Sequence, residues 1–563
     1  ATNAPCRWIS LSTMALCRNK WLAGVDDGCA GRDVSRGDGC LPPGQSEYRF
    51  DTVFDTVFDT VFDTAMENDS PVHQAAVRSG LRFVAAITLL HLMLWLPLPG
   101  VAQTLALLAL IGLMPGLLFV DLLVGQSEAP PDQWERWLYG AGAGYAIMTL
   151  GMLLLSYLPG GVTAWQVLVG FDALLLALGA LWWRRPRRLP HVMGEEAASI
   201  SSAERWPWPA GIAVAMLLVI GGVLRFHNLG YAEFLTDEAR VVLRAAAVVQ
   251  GYEDTLFLHR KGPVEIVLPA APFAVLGVLN EASARLPFAV ASLAALLAVF
   301  YLGWRLWGTL AGASAALLLA VNGYLIGFAR FVQYQSVVLL MSVLAVLILH
   351  RLLHRPVAVA RYLILAALLV ATGLLSHYDG LVTLLPVALA IFFLFQRRRV
   401  EWAPLARAVG LAGVTGGLAL ALFYVPFVLH PNFSATAAYL FDNRLRAGDF
   451  PYNNLNELAL RGMVYDPPLL VIFSSVMITA ALAWAIGRAL GRIWGILIGL
   501  LLGFVLYVTL REPVMLEVTW VERLLLPFAL AIGLAWLAPR LGVAERMLWL
   551  WWGAPLLLAF FLV

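Results

Sequence analysis

The chain has 563 residues, 61% of them hydrophobic and only 13% charged, with a formal charge of +2. Long apolar runs recur through most of it, more apolar surface than one soluble core can bury, so a purely soluble protein is excluded and a polytopic membrane protein expected. The near-neutral charge lies in short clusters between runs and forms no basic face, which excludes a nucleic-acid partner and points to lipidic or lipid-linked ones.

Residues 1–65 stand apart. They hold all four cysteines (Cys6, Cys17, Cys29, Cys40), carry a Phe-Asp-Thr-Val tandem repeat from Phe50 to Thr64, and lack a long apolar run. Low complexity marks them as a disordered leader or a mis-called start, with Met66 as an alternative beginning. No Cys-x-x-Cys pair is present, so the cysteines define neither a zinc site nor a redox compartment.

A membrane-crossing helix needs about 20 apolar residues. Spans are expected near 81–99, 101–124, 139–158 and 164–183, a four-helix front module within 66–190. A cytoplasmic connection, 191–208, follows, and then a transmembrane core over 209–540. Its spans fall near 209–227, 284–304, 309–327, 336–350, 360–375, 381–396, 404–428, 467–487, 490–509 and 523–539, with a terminal helix in 541–563. The total is 13–15 helices. The stretch Val264 to Leu279 is apolar apart from Glu265 but too short to cross, and is expected to lie at or dip into the outer interface.

Arginine clusters give the sidedness, because Lys and Arg of short loops stay cytoplasmic. Placing Arg184–Arg188 inside also puts Arg351–Arg361, Arg397–Arg399, Arg488 with Arg492, and Arg540 with Arg546 inside. The other connections then face outward: 228–283, Phe328 to Gln335, His377-Tyr378-Asp379-Gly380, 429–466, and Arg511 to Glu522. The chemistry-bearing residues collect there, at one face of an integral, multi-pass plasma (inner) membrane protein.

Among them, Thr236-Asp237-Glu238-Ala239-Arg240 opens a helix about ten residues after a span ends. Neighbouring side chains on a helix diverge by roughly 100°, so Asp237 and Glu238 cannot form a facing dyad and must do different things. One suits a general base whose pKa is raised by partial burial, the other an orienting or metal-binding role. The bland alternative is a helix start capped by Thr236, with two acids favoured by the macrodipole. Arg240 and Arg244 sit at pairing distance from these acids. Lys261, before Gly262-Pro263, presents an ammonium at head-group depth, either as a phosphate ligand or snorkelling. Arg330, flanked by aromatics, suits neutralisation of a departing lipid phosphate. His377 and Asp379 offer a metal ligand with an acceptor behind it, or a satisfied structural pair. Walker A, Gly-x-Ser-x-Gly, His-Glu-x-x-His and dinucleotide motifs are missing, so an ATP-driven pump or a zinc protease is unsupported.

Residues 209–540 resemble the C-type membrane glycosyltransferases, or GT-C fold, of family 39, the protein O-mannosyltransferase and lipid A aminoarabinose transferase group. The resemblance rests on Asp237-Glu238, Lys261-Gly262-Pro263, Ala284-Arg285-Leu286-Pro287, Arg305-Leu306-Trp307-Gly308, Ala329-Arg330 and Glu522-Arg523-Leu524-Leu525-Leu526-Pro527, in that order. It implies an all-α membrane fold and inverting transfer of a sugar from a polyprenyl-phosphate donor to a lipid, glycan or protein hydroxyl on the outer face. Asp237 would be the base and Glu238 its acidic neighbour, with Lys261, Arg330 and Arg240 near the lipid phosphate. Gln335, His377, Asp379 and Arg523 would surround them. It implies no definite cofactor, and a divalent metal, with Glu238 or His377 as ligand, stays open. Two features depart from the pattern: many relatives have an aspartate where this chain has Gln335, and the front module is additional. A lipid-linked sugar flippase would instead need midpoint charges and inverted repeats, which are not evident, while an inactive partner subunit of a glycan-assembly complex would keep the fold.

Overall fold

The computed structural model describes residues 71–125, 127–185, 208–252, 254–396, 400–440, 468–511, 533, 541–543 and 545–551. The described elements are all helical: α1 Pro71–Trp95, α2 Gly100–Leu123, α3 Gln133–Ser156, α4 Ala164–Arg184, α5 Trp208–Phe226, α6 Thr236–Val249, α7 Val264–Leu276 and α8 Glu281–Trp307. They continue with α9 Thr309–Val321, α10 Gly323–Ala329, α11 Gln335–His354, α12 Val359–Ser376, α13 Tyr378–Gln396, α14 Trp402–Leu429, α15 Phe433–Leu440, α16 Pro468–Leu490 and α17 Arg492–Arg511. Among the described residues, 10 helices are long and apolar enough to cross a membrane, or 11 if the bent pair α9 and α10 counts as one.

The sequence-predicted spans from 81–99 to 490–509 each meet a helix, and two elements differ from expectation, one of them a span. The stretch 309–327 is not one straight span, because α9 and α10 meet at 66°. Asn322 makes the break, its side chain accepting from the Leu325 N–H at 3.0 Å to cap a new helix. The expected spans 523–539 and 545–563 lie largely outside the described residues.

The second difference concerns α7, expected at the membrane interface. Ile266, Val267, Leu268, Ala270 and Ala271 are fully buried, and α7 packs among α2, α3, α4, α6, α8 and α12. An interfacial helix needs a polar face; α7 is apolar all round and therefore sits inside the bundle.

The front helices share one hydrophobic core with the later ones: Leu107, Tyr139 and Leu153 belong to the same cluster as Val267, Leu344 and Leu369. Where α2 meets α3, a Cβ on Gly116 would lie 2.1 Å from the Gly140 carbonyl oxygen, and one on Gly144 would lie 2.5 Å from that of Gly112. Paired Gly-x-x-x-Gly steps thus let the two backbones touch, the usual route to close helix packing in lipid.

Apart from His91 with Asp172 between α1 and α4, the tertiary ion pairs described below gather toward the two ends of the bundle. At one end Arg136 grips Asp121 at 2.6 Å, Arg305 and Tyr301 meet Asp132, and Arg351 meets Glu135 while donating to the Ala129 and Pro130 carbonyls. At the other lie the connections 157–163, 227–263, 330–334, 377–379 and 430. The candidate site is built there.

Candidate active site

Helix α6 begins at Thr236 and has Asp237 and Glu238 in its first turn. Thr236 makes no side-chain cap; the preceding Leu235 is the N-cap residue and carries no capping group. Glu238 is fully buried and takes a bidentate grip from Arg285, Nε to Oε1 and Nη2 to Oε2, both at 2.7 Å. Arg285 is equally buried, donates to the Leu229, Ala232 and Glu233 carbonyls, and lies over the Tyr231 and Phe234 rings. Removing one partner of such a pair would leave an uncompensated charge in the interior. Glu238 Oε1 also accepts the Val332 N–H at 3.0 Å, joining the start of α6 to the turn before α11.

Asp237 has the opposite environment. Its side chain is 68% exposed, and an exposed Arg240 approaches it at 3.5 Å across i,i+3. The partial burial expected of a base is not present here. Arg244, expected to pair with the same acids, instead approaches His259 Nδ1 at 3.2 Å and the Leu258 carbonyl.

A second buried carboxylate mirrors Glu238. Glu265 in α7 is fully buried, meets His259 Nε2 at 2.9 Å and accepts the Tyr334 N–H at 3.0 Å. The turn from Arg330 to Gln335 therefore hangs from two buried acids, one through Val332 and one through Tyr334. Sequence reasoning passed over Glu265 and His259. The signal was a lone acid in an apolar helix, which must find partners to be tolerated.

Lys261, Tyr334 and His377 converge. Lys261 Nζ lies 5.1 Å from the Tyr334 ring centroid, a cation–π contact, and the His377 ring stacks on Tyr334 at 3.7 Å and 3°. Gly262 permits the approach, because a Cβ there would fall 1.8 Å from the Leu375 carbonyl oxygen. His377 Nδ1 is 3.0 Å from Asp379 Oδ1, and Asp379 is half exposed. Burial pushes the His377 pKa below its ordinary 6.5, opposed by Asp379 and reinforced by the Lys261 charge. Burial also raises the Tyr334 hydroxyl, with Asp379 adding to the effect.

Arg330 is elsewhere engaged. Its terminal nitrogens donate to the Leu224, His227 and Asn228 carbonyls at 3.3, 2.9 and 3.3 Å, with the guanidinium over Tyr231. It caps the C-terminal end of α5, where a cation also complements the helix dipole. Gln335 donates to Gln333 Oε1 at 3.1 Å, and its own side-chain oxygen is buried without a partner. Glu238 and His377 do not come together as a metal site; among the described residues no three His, Cys, Asp or Glu side chains do. Arg523, and residues 441–466 of the 429–466 connection, lie outside the described residues.

This is a polytopic membrane protein, all-helical among the described residues. Residues 260–428, somewhat under a third of the chain, match the family model described as dolichyl-phosphate-mannose-protein mannosyltransferase. The match takes in Lys261, Glu265, Arg285, Arg330, Tyr334 and His377, and begins after Asp237 and Glu238. No curated protein and no solved structure gives a significant match.

Proposed function

We propose that the protein transfers a sugar from a polyprenyl-phosphate donor to an acceptor hydroxyl on the extracytoplasmic face, by one inverting displacement with Asp237 as base. The observation that carries this is the contrast within the acidic pair: Glu238 is locked to Arg285 and Val332, so the first turn of α6 is fixed, and the neighbouring Asp237 carboxylate is held open to reactants. A fixed base beside a bound acceptor contributes mainly by orientation.

In the step, Asp237 takes the proton of the acceptor hydroxyl as its oxygen attacks the anomeric carbon. The bond from that carbon to the phosphate oxygen breaks on the opposite side, and the electron pair leaves with the polyprenyl phosphate. Lys261, and Arg240 at the rim, meet the charge that develops. Arg330, whose donors hold α5, acts on the scaffold instead of the leaving group. The acceptor is a lipid, glycan or protein hydroxyl, and the donor carries its own activated leaving group.

The test is label transfer from a radiolabelled polyprenyl-phosphate sugar to membrane extract by the purified full chain. Asp237→Asn is expected to lose about 10²-fold or more in kcat, the scale of general-base catalysis, while unfolding at an unchanged temperature. Glu238→Gln is expected to lose stability together with activity. Equal transfer by wild type and Asp237→Asn would remove Asp237 from the mechanism. Absence of transfer with every donor, alongside protein-dependent translocation of the sugar lipid in liposomes, would replace the enzyme with a transporter.

A further inference from the structure

Glu265, His259 and Arg244 form a chain of hydrogen bonds with a defined direction. A guanidinium only donates, so the Arg244 contact at 3.2 Å requires His259 Nδ1 to be the acceptor. His259 therefore carries its proton on Nε2 and donates it to Glu265 Oε2 at 2.9 Å. The other carboxylate oxygen is left for the Tyr334 N–H. His259 is 5% exposed and Glu265 fully buried, so water does not substitute for a missing partner, and each bond is strengthened by the low local dielectric. The chain ends at a residue whose ring touches the candidate phosphate ligand, because Lys261 Nζ and the stacked His377 both lie against Tyr334.

We propose that Arg244, His259 and Glu265 are positioning residues that fix Tyr334, and through its ring set where the Lys261 ammonium meets the donor phosphate. This rests on the glycosyltransferase reading for the role of Lys261, but the relay itself does not. It makes a pattern of rescue that simple packing would not produce. In Glu265→Gln, the amide must present NH2 either to the Tyr334 N–H or to the His259 Nε2–H, and in both cases a donor faces a donor. His259 cannot move its proton to Nδ1, because Arg244 points a donor there. Replacing Arg244 by Met as well frees Nδ1 to carry the proton, so that Nε2 accepts from the Gln amide and its oxygen takes the Tyr334 N–H.

The experiment uses the full chain in detergent, with farnesyl phosphate as probe in calorimetric titration and hydrogen exchange over residues 330–336. Glu265→Gln is expected to bind the probe about tenfold more weakly, the scale of one charge-assisted hydrogen bond, and to exchange faster in 330–336. Arg244→Met alone, which removes the donor to His259 Nδ1 but leaves both Glu265 bonds, is expected to show a smaller loss in each readout than Glu265→Gln, and the Arg244→Met, Glu265→Gln double variant is expected to recover toward that level. The relay is overturned if Glu265→Gln leaves exchange unchanged or if the double variant is no better than Glu265→Gln. Wild-type affinity in Lys261→Ala would overturn the donor-phosphate role of Lys261 alone, and the exchange comparison would still decide the relay.

Discussion

His377 shows how a side chain can be placed by its neighbours more than by its own polarity. It is 3% exposed, stacked flat on Tyr334 and tilted against Tyr378 at 3.6 Å. Desolvation disfavours its charged form, the Lys261 charge does the same, and Asp379 only partly offsets them, so its pKa lies below 6.5 in the folded chain. Above about pH 6.5 the ring is neutral in both folded and unfolded chains, and stability is unaffected. As pH falls below that value, the unfolded chain takes up a proton that the folded one resists, and stability declines until the folded pKa is passed. Thermal unfolding in detergent between about pH 7.5 and 5 is therefore expected to show a smaller acid loss in His377→Gln than in wild type. Parallel profiles would mean that the stack does not hold the ring neutral. A sequence shows that His377 and Asp379 are two apart, but the Tyr334 ring that decides the matter comes from a segment more than forty residues earlier.

At the level of elements, spans were legible because an apolar run ended by arginines has few other uses, whereas tertiary roles were not. Asn322-Gly323 was a visible capping signal inside a run that otherwise reads as one span. The absence of any polar face on α7 was equally visible, yet length alone suggested an interfacial helix. Arg330 could not be read at all: its partners are helix-terminal carbonyls some hundred residues away, and carbonyls leave no mark in a sequence. Lys261-Gly262-Pro263 lies between these cases. The turn was evident, but Gly262 is required for a reason outside the turn, the backbone of α12 at Leu375. Gly262→Ala is expected to cost about 1–3 kcal/mol through overpacking against backbone that cannot yield, and to displace Lys261. Gly410→Ala, with nothing within 4 Å of the added atom, serves as the neutral control. Equal melting temperatures for the two variants would show that α12 gives way.

For the whole molecule, the polar contacts test the threading independently of hydropathy. Five tertiary ion pairs among the described residues join segments that the arginine pattern assigns to one side: Arg136 with Asp121, Arg305 with Asp132 and Arg351 with Glu135 at one end, Arg285 with Glu238 and His430 with Asp254 at the other. The backbone agrees, since the Val162 N–H of the turn between α3 and α4 donates to the Val249 carbonyl at 3.1 Å at the end of α6. Such sorting follows only if α9 and α10 together cross once and α7 does not cross. Which end faces out is a separate matter, and from the arginine bias we propose that the first-loop end is extracytoplasmic. Single cysteines at Tyr252, 67% exposed beside the first loop, and Trp402, 64% exposed at the arginine-rich end, can read this directly once Cys6, Cys17, Cys29 and Cys40 are changed to serine. Neither position contributes a side chain to the ion pairs above, and an unchanged melting temperature checks that loss of the Trp402 contact with Phe395 leaves the fold intact. In intact cells a membrane-impermeant maleimide is expected to label position 252 fully and position 402 only after permeabilisation. The reverse pattern would put Asp237 and Lys261 on the cytoplasmic side, where an extracytoplasmic transfer cannot occur, and the proposed reaction would fall with it.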